Sequence, residues 1–335
     1  MDAEKTLRVA VAGFGTMGRK HSVNCRRTEG VEVVAIAVAD AAEGAVVNAE
    51  AKLPAYVSAE QMLAEVPLDA LVVATPAGVR RDMVIRAASE GKALFVEKPI
   101  ALDLATAREY CDAARQHSVV NAVGFQLRYS PLTERARSII AGRTVTHVRT
   151  ACTTSYYLTR DVPPWFLQRR HSGGPLLEQA IHVIDMARFL VGDITHVFAR
   201  GDRLLYADVA DLDSEDSIVL AYRFAGGALG THIDSCAMAE FNWEVELFGP
   251  DWRLLVDYAR KRLRGHVGGN VIEKQFPDVD LHILEMRAFL EAVRSGNSDA
   301  ILSDFEDATK TLAVVLAGDR SLKTGLWEPV EEQGA

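Results

Sequence analysis

Short, almost uninterrupted apolar runs alternate with helix-period segments through residues 7–125. The runs read LRVAVAG, VEVVAIAVA, LDALVVATP, KALFVEKP and SVVNAVGF. Strands that are apolar on both faces are typical of a parallel sheet covered by helices, and the segments between them supply the crossover helices. The pattern therefore predicts a doubly wound α/β domain over residues 1–124.

The pattern changes after Gly124. SPLTERARSIIAG predicts a helix capped by Ser130 with Pro131 at its first position, and strand-like segments such as EDSIVLAYRF follow, with apolar residues on one face. Further helices are predicted at about 176–191, ended by Gly192, and at about 280–294 and 304–317. Residues 125–335 are thus predicted to form a second α/β domain with an antiparallel sheet.

Length, charge and cysteine content restrict the possible functions. A chain of 335 residues fits two domains, and 37 basic against 46 acidic residues give a net charge of -9, which argues against nucleic-acid or membrane partners. The chain has no apolar run of bilayer length and its start, MDAEKTLR, does not resemble a signal peptide, so a cytoplasmic protein is expected. The four cysteines lack C-x-x-C spacing, which predicts reduced core thiols: Cys25, Cys111, Cys152 and Cys236.

Three glycines follow the first predicted strand in VAGFGTMGRKH. Gly13, Gly15 and Gly18 form G-x-G-x-x-G, in which the first allows a tight turn, the second lets backbone approach a pyrophosphate and the third allows close packing. The phosphates would bind at the start of the next helix, around Thr16 and Met17. A glycine-rich turn is the alternative, but the strand-to-helix context favours a dinucleotide site.

The identity of the dinucleotide depends on the end of the second strand. The acidic residue that binds a ribose hydroxyl is expected where Val38 stands, and Asp40 follows two residues later. Asp40 is therefore a candidate for the ribose, with a helix N-cap as the equal alternative. No Arg or Lys lies between positions 38 and 50 to bind a 2′-phosphate, so NAD is favoured and NADP stays possible.

The segment FVEKPIALD brings Glu97 and Lys98 to the carboxyl edge of the predicted parallel sheet, where ligands of such sheets bind. Pro99 disfavours the α-helical conformation at Lys98. A lysine after a strand is often only a solvated loop residue. Lys98 therefore becomes a site candidate only together with other groups.

A carboxylate and an imidazole lie four residues apart in GGPLLEQAIHVID. Glu178 and His182 would share one face of the predicted helix, and Asp185 continues it. A carboxylate that orients an imidazole suits a general base for a hydroxyl proton. The alternative is a buried structural pair, and no metal site is predicted because a second spaced ligand pair is missing.

These motifs in this order, GFGTMG, EKP and GGPLLEQAIHVID, resemble the Gfo/Idh/MocA family of nicotinamide-dependent oxidoreductases. ATP at 74–76, GFQLRYSP at 124–131 and Trp165, eight residues before Gly173, add to the resemblance. It implies a Rossmann domain and a C-terminal α/β domain with a large open antiparallel sheet. It also implies homodimers or homotetramers formed through that sheet's exposed face.

The resemblance implies hydride transfer between a nicotinamide and a secondary alcohol or ketone of a sugar, cyclitol or related polyol. Lys98 matches the lysine that contacts cofactor and the reacting oxygen, His182 the proton-transferring histidine, and Glu178 a position usually held by aspartate. Arg80 and Gln126 stand where members commonly carry histidine and asparagine. The cofactor contacts implied beyond the glycine motif and Asp40 are Ala74, Thr75, Pro76, Arg80, Glu97, Lys98, Gln126 and Trp165.

The segment SYYLTRDVPPWFLQRRHSGG at 155–174 is the predicted substrate loop. Tyr157, Trp165 and Arg169 can stack on or hydrogen-bond a polyol ring, together with Lys98 and His182, and packing within the loop is the alternative for each. Two other functions stay open. One is a sensor that binds NAD(P) without catalysis, and the other is a glycosidase-like enzyme that retains NAD as an internal oxidant.

Overall fold

The computed structural model describes residues 6–159 and 162–331. The chain forms two compact units, Met1–Gln126 with Asp280–Thr309 and Leu127–Val279 with Lys310–Ala335. The chain first passes from one unit to the other after Gln126, within two residues of the boundary predicted after residue 124. Residues 280–309, which were predicted in the second domain, instead belong to the first unit.

A parallel sheet of six described strands forms the centre of the first unit, in the order β3-β2-β1-β4-β5-β6. This is the strand order of a Rossmann fold, which confirms the predicted doubly wound sheet. The strands are β1 (Leu7–Ala12), β2 (Val31–Ala37), β3 (Ala55–Tyr56), β4 (Ala70–Val73), β5 (Ala93–Val96) and β6 (Asn121–Val123).

A mixed sheet of nine described strands forms the second unit, in the order β14-β13-β12-β11-β7-β10-β9-β8-β15. Its strands pair antiparallel except β7 and β10, which run parallel, so the predicted antiparallel sheet is confirmed. The strands are β7 (His147–Thr153), β8 (Ile194–Asp202), β9 (Ser217–Phe224), β10 (Leu229–Ser235), β11 (Asn242–Gly249), β12 (Trp252–Asp257), β13 (Arg262–Val267), β14 (Asn270–Gln275) and β15 (Glu328–Pro329).

Helices connect the strands of both units. They are α1 (Thr16–Arg26), α2 (Ala41–Glu50), α3 (Ala59–Glu65), α4 (Arg81–Ser89), α5 (Leu104–Gln116), α6 (Pro131–Ile140), α7 (Tyr156–Thr159), α8 (Arg169–Ser172), α9 (Ile181–Val191), α10 (Leu281–Ser295) and α11 (Phe305–Thr324). Side chains cap the starts of several of these helices, among them the predicted cap Ser130. Asp103 accepts a hydrogen bond from the N–H of Thr106 at 2.8 Å, and Ser130 caps α6 ahead of Pro131.

The return of α10 to the first unit follows from its apolar face. Met286, Phe289 and Leu290 are fully buried in the core formed by the parallel strands. The rings of Phe95 on β5 and Phe289 are 5.7 Å apart in an edge-to-face arrangement. Burial of such side chains stabilises a fold by about 1.5–3 kcal/mol each, so α10 completes the first core.

The two faces of the second sheet differ in exposure. On β9 the predicted inward residues Ile218, Leu220, Tyr222 and Phe224 are all buried. The opposite face leaves Val219, Leu229 and Ile233 nearly half exposed. All four cysteines are free and buried, as predicted.

The predicted helix at 176–191 consists of two parts. Leu176–Ala180 is a π-helical turn and α9 begins only at Ile181, ending at Gly192, which has φ +123°. A π-helical turn bonds residue i to i+5 rather than i+4, so it is wider than an α-helical turn. Glu178 lies in this turn and His182 in the α-helix after it.

Candidate active site

The three glycines after β1 have different surroundings. Gly13 has φ +92°, which residues with a side chain rarely adopt, and a Cβ there would lie 2.8 Å from the carbonyl oxygen of Ala74. A Cβ on Gly18 would lie 2.0 Å from the carbonyl oxygen of Gly13. Around the corresponding position of Gly15, the described residues place no atom within 4 Å. Packing thus requires glycine at 13 and 18, whereas Gly15 faces open space.

The start of α1 is suited to an anion. Gly15 is its N-cap, and no described side chain caps the first N–H groups of the helix. Thr16 and Met17 form the first turn, which carries no acidic residue. Free N–H groups and the helix dipole together attract negative charge. This end of α1 fits a pyrophosphate.

Asp40 has the capping role that the sequence left open. Its Oδ1 accepts a hydrogen bond from the N–H of Glu43 at 2.9 Å, and Glu43 Oε2 accepts one from the N–H of Ala39 at 3.0 Å. Asp40 is exposed at the carboxyl end of β2 while Val38 is buried. One Asp40 oxygen is thus occupied by the helix cap, and a contact to a ribose stays a prediction.

Arg80 joins the turn after β4 to the turn after β5. Its Nε donates to the carbonyl oxygen of Thr75 at 2.8 Å, and its Nη1 donates to that of Pro99 at 2.6 Å and to that of Glu97. The guanidinium is buried, and these bonds tie the two turns of the predicted cofactor site together. The hydroxyl of Thr75, between Ala74 and Pro76, has no hydrogen-bond partner among the described residues and is available to a bound group.

Glu97 lies buried directly after β5 and has a partner for each carboxylate oxygen. Oε1 lies 2.6 Å from His21 Nε2, and Oε2 accepts the backbone N–H of Lys98 at 3.1 Å. A Cβ on Gly124 would lie 3.1 Å from both oxygens, so the glycine makes room for the carboxylate. Burial raises the pKa of Glu97, but the hydrogen bond from His21 and the neighbouring positive charges, including Lys98, together hold that pKa below its ordinary value.

Lys98 follows at this edge, half-buried, before the cis peptide bond to Pro99. The predicted residues Ala74, Thr75, Arg80, Glu97 and Lys98 therefore all lie in the turns after β4 and β5 or are bonded to them. Gln126 is buried at the last position of the unit's first segment. The carboxyl edge of the parallel sheet thus brings most predicted cofactor residues together.

His182 in the second unit is buried near the start of α9 and lies against Trp243 of β11. The ring centroids are 4.7 Å apart with an interplanar angle of 36°. Trp243 could not be predicted from the sequence as a neighbour of His182, since only the fold brings β11 beside α9. Glu178 is half-buried, and its charge contributes to a raised pKa of Cys236, which burial raises most.

Asp185 has a structural role in the second unit. Its oxygens accept two hydrogen bonds from Arg128, at 2.8 and 2.6 Å, and one from Thr311 at 2.8 Å. Both charged side chains are almost fully buried. A two-point pair of this kind fixes α9 against the segment before α6.

The predicted substrate loop is held largely by its own packing. Tyr157 is 1% exposed in a cluster with Phe166 and Leu212, and Trp165 packs half-buried against Phe166 with ring centroids 6.1 Å apart. Arg169 forms ion pairs with Asp319, at 3.1 Å, and with Glu215. Loop positions 160 and 161 lie outside the described residues. Tyr157 therefore packs within the loop, as the alternative had it. Direct contacts of Trp165 and Arg169 with a substrate stay predictions.

Two domain models of one sequence family together match most of the chain. Residues 7–125 match the model described as "Oxidoreductase family, NAD-binding Rossmann fold", and residues 133–254 match the "GFO/IDH/MocA C-terminal domain". No helix in the described part of the chain is long and apolar enough to cross a membrane.

Relatives with named functions match along nearly their whole length. Myo-inositol 2-dehydrogenase of Thermotoga maritima is 27% identical over 331 residues, which cover 95% of this chain and 96% of the relative. The scyllo-inositol 2-dehydrogenase (NAD(+)) of Bacillus subtilis is 28% identical over 342 residues, 96% of each chain. The crystal structure of GenD2 from gentamicin A biosynthesis, in complex with NAD, is 25% identical with a TM-score of 0.85 and covers 98% of this chain and 97% of that one.

Proposed function

Because this chain belongs to the Gfo/Idh/MocA family of oxidoreductases, we propose that it is an NAD-dependent dehydrogenase or ketone reductase. Its proposed substrate is a secondary alcohol, or the matching ketone, of a cyclitol, sugar or related polyol. The observation that carries the proposal is that the glycine-rich turn at the start of α1 and Lys98 lie at one carboxyl edge of a Rossmann sheet. The two inositol dehydrogenases support the substrate class.

The first unit would hold NAD through the features of this edge. The open start of α1 at Gly15, Thr16 and Met17 would bind the pyrophosphate, and Asp40 a ribose hydroxyl. The turn at Ala74–Pro76 would bind nearer the nicotinamide, where the hydroxyl of Thr75, which has no partner among the described residues, supports a ligand contact. NAD then supplies the hydride acceptor. The absence of Arg and Lys from positions 38–50 favours NAD over NADP.

The chain's own residues would handle the proton and the charge. His182, as a neutral imidazole, takes the proton of the reacting hydroxyl, and the Lys98 ammonium stabilises negative charge on that oxygen. Trp243 holds the plane of the imidazole. Glu178 supports the imidazolium that forms, from the π-helical turn before α9. Trp165 and Arg169 remain the proposed polyol contacts.

We also propose a homodimer or homotetramer formed through the outer face of the nine-stranded sheet, in the cytoplasm. The neighbouring exposed side chains of Val219 and Ile233, paired across β9 and β10, support such an interface. Four free, buried thiols suit a reducing compartment.

The test is a panel of inositols and sugars with NAD and NADP, followed by the absorbance of reduced nicotinamide. Lys98→Ala and His182→Ala should each lower kcat/KM by about 10²-fold or more, because each removes a group that acts on the reacting oxygen. Lys92→Ala and His147→Ala, at partly or fully exposed positions, are the matched controls. Turnover of both site variants within a few-fold of wild type would refute the assigned roles.

The cofactor assignment has its own matched pair. Asp40→Ala should raise the KM for NAD, because it removes the ribose acceptor as well as a helix cap. Asp103→Ala removes an equivalent cap, from α5, and should leave that KM unchanged. Equal effects of the two variants would show that Asp40 only caps α2.

A further inference from the structure

One buried carboxyl group has no role in the proposed mechanism. Glu285 on α10 is 1% exposed, and neither of its oxygens has a hydrogen-bond partner among the described residues. Buried polar groups are nearly always hydrogen-bonded, so an unpartnered carboxyl group requires a physical explanation.

Glu285 lies beside the carboxylate that holds Lys98. One nitrogen or oxygen atom each of His21, Glu97 and Glu285 lies within 4.8 Å of the other two. Four further ionisable residues surround this cluster. Lys20 on α1 is 3.7 Å from Asp280 at the start of α10, His282 lies on α10, and Lys98 lies in the turn after β5. Burial lowers the pKa of His282 to about 4, so it adds no charge at neutral pH.

Two carboxylates this close in a buried site repel each other, and the repulsion strongly raises the pKa of one of them. Glu97 has His21 and the N–H of Lys98 as partners for its two oxygens, so the negative charge is better placed on Glu97. No described residue gives the Glu285 oxygens a hydrogen bond. Burial, together with the charge of Glu97, raises the pKa of Glu285 well above its ordinary value.

One metal ion bound by both His21 Nε2 and Glu97 Oε1 would require these two atoms to move apart. Ligand atoms around one zinc ion, each about 2.0–2.1 Å from it, stand roughly 3 Å or more apart. His21 Nε2 and Glu97 Oε1 are 2.6 Å apart, which is a short hydrogen bond and closer than two ligands of one zinc ion.

We propose that Glu285 is a positioning residue that stays protonated, and that its neutral carboxyl group keeps the negative charge on Glu97. Glu97 in turn fixes the backbone of Lys98, because its carboxylate is held by His21 on α1 and accepts the N–H of Lys98 beside Gly124, which follows β6. This inference goes beyond the proposed function in assigning a protonation state, and its effect on catalysis rests on the role proposed for Lys98.

The first test is independent of activity and compares the stability of Glu285→Gln with that of wild type between pH 5 and pH 8 by urea unfolding. Glu285 ionises near its ordinary pKa of 4.5 in the unfolded chain but keeps its proton in the folded chain, so it lowers stability increasingly as pH rises. Glutamine cannot ionise. The ratio of the variant's folding constant to that of wild type should therefore grow with pH, by up to about tenfold per pH unit.

Glu291→Gln, at an exposed position of the same helix, is the control and should give a ratio that does not change with pH. A Glu285→Gln variant whose stability falls further below wild type as pH rises would mean that Glu285 is charged and paired, and would overturn the proposal. A ratio independent of pH would overturn it as well. So would one equivalent of Zn²⁺ that dialysed wild type retains and Glu285→Gln does not.

The second test concerns Lys98. Glu285→Ala should lower kcat about tenfold, because a cavity beside Glu97 lets the Lys98 turn shift, and Glu285→Gln should recover most of that loss. Loss of kcat in both variants alike would overturn the neutral-carboxyl role. If Lys98→Ala left kcat unchanged, the proposed role of Lys98 would fail. The urea-unfolding test would still decide whether Glu285 is protonated.

Discussion

Trp243 lies against the imidazole of His182, with their ring centroids 4.7 Å apart and their planes tilted by 36°. The two residues are 61 positions apart in the sequence, and a strand of the second sheet brings them together. Trp243→Ala should therefore lower kcat by roughly tenfold, because the imidazole loses the surface that sets its plane, whereas the KM for NAD should stay unchanged.

Trp243→Phe should recover most of that activity, since it restores an aromatic face. Trp327→Ala removes a half-exposed indole and serves as the control in steady-state kinetics. Normal turnover by Trp243→Ala would show that His182 is oriented by other contacts.

Gly15 and Gly18 provide a test that separates cofactor binding from folding. Gly18→Ala should destabilise the protein by about 1–3 kcal/mol, because its Cβ would overlap the carbonyl oxygen of Gly13. Gly15 has φ -71°, and a Cβ there would meet open space, so Gly15→Ala should cost less than about 1 kcal/mol of stability. The added methyl group would project into the proposed phosphate site, so the same substitution should raise the Kd for NAD about tenfold or more. Thermal unfolding and cofactor titration of both variants decide this, and an unchanged Kd for Gly15→Ala would show that the turn does not bind phosphate.

Acid should destabilise the second unit through His232. This histidine is fully buried on β10, with Nδ1 2.9 Å from the hydroxyl of Thr150, and burial lowers its pKa to about 3. The unfolded chain takes up the proton near pH 6.5 and the folded chain does not. Stability should therefore fall as pH decreases from about 6.5 towards 3, by up to about 1.4 kcal/mol per pH unit.

His232→Asn should flatten this acid dependence in urea unfolding, even if the smaller side chain lowers stability at pH 7. His147→Asn changes an exposed histidine and should leave the pH dependence of wild type intact. A wild-type slope that persists in His232→Asn would assign the acid sensitivity to another group.

Ile233 and Val219 stand opposite each other on neighbouring strands, and both are nearly half exposed. Ile233→Lys should dissociate the proposed oligomer, because it places a charge in the apolar centre of the interface. Sedimentation velocity measures the change. Leu204→Lys, at an exposed loop position, should keep the wild-type assembly, and a wild-type monomer would refute the sheet-face interface.

The strands of the first unit were largely predictable, because a parallel strand buried on both faces must be apolar almost throughout. β3 was missed since its two residues carry no periodic pattern. The glycine turn and the caps at Asp103 and Ser130 were predictable for a similar reason, as each is set by neighbours in the sequence.

The missed features all depend on distant parts of the chain or on a subtle change of helix type. The π-helical turn at Leu176–Ala180 follows the same hydrophobic spacing as an α-helix, so the pattern at Glu178 and His182 did not reveal it. Trp243 and Glu285 acquire their neighbours only through tertiary structure. Glu285 lies on the helix predicted at 280–294, and nothing in its local sequence indicates that its carboxyl group would be buried beside Glu97.

The nucleotide-binding unit of this protein is built from two separate segments of the chain. Its core includes Met286, Phe289 and Leu290, which α10 supplies from beyond residue 279. A truncation that stops at residue 126 would expose the apolar flank that these side chains cover and should aggregate. Exchanging cofactor domains between relatives would therefore require the later helix to be transplanted together with the N-terminal segment.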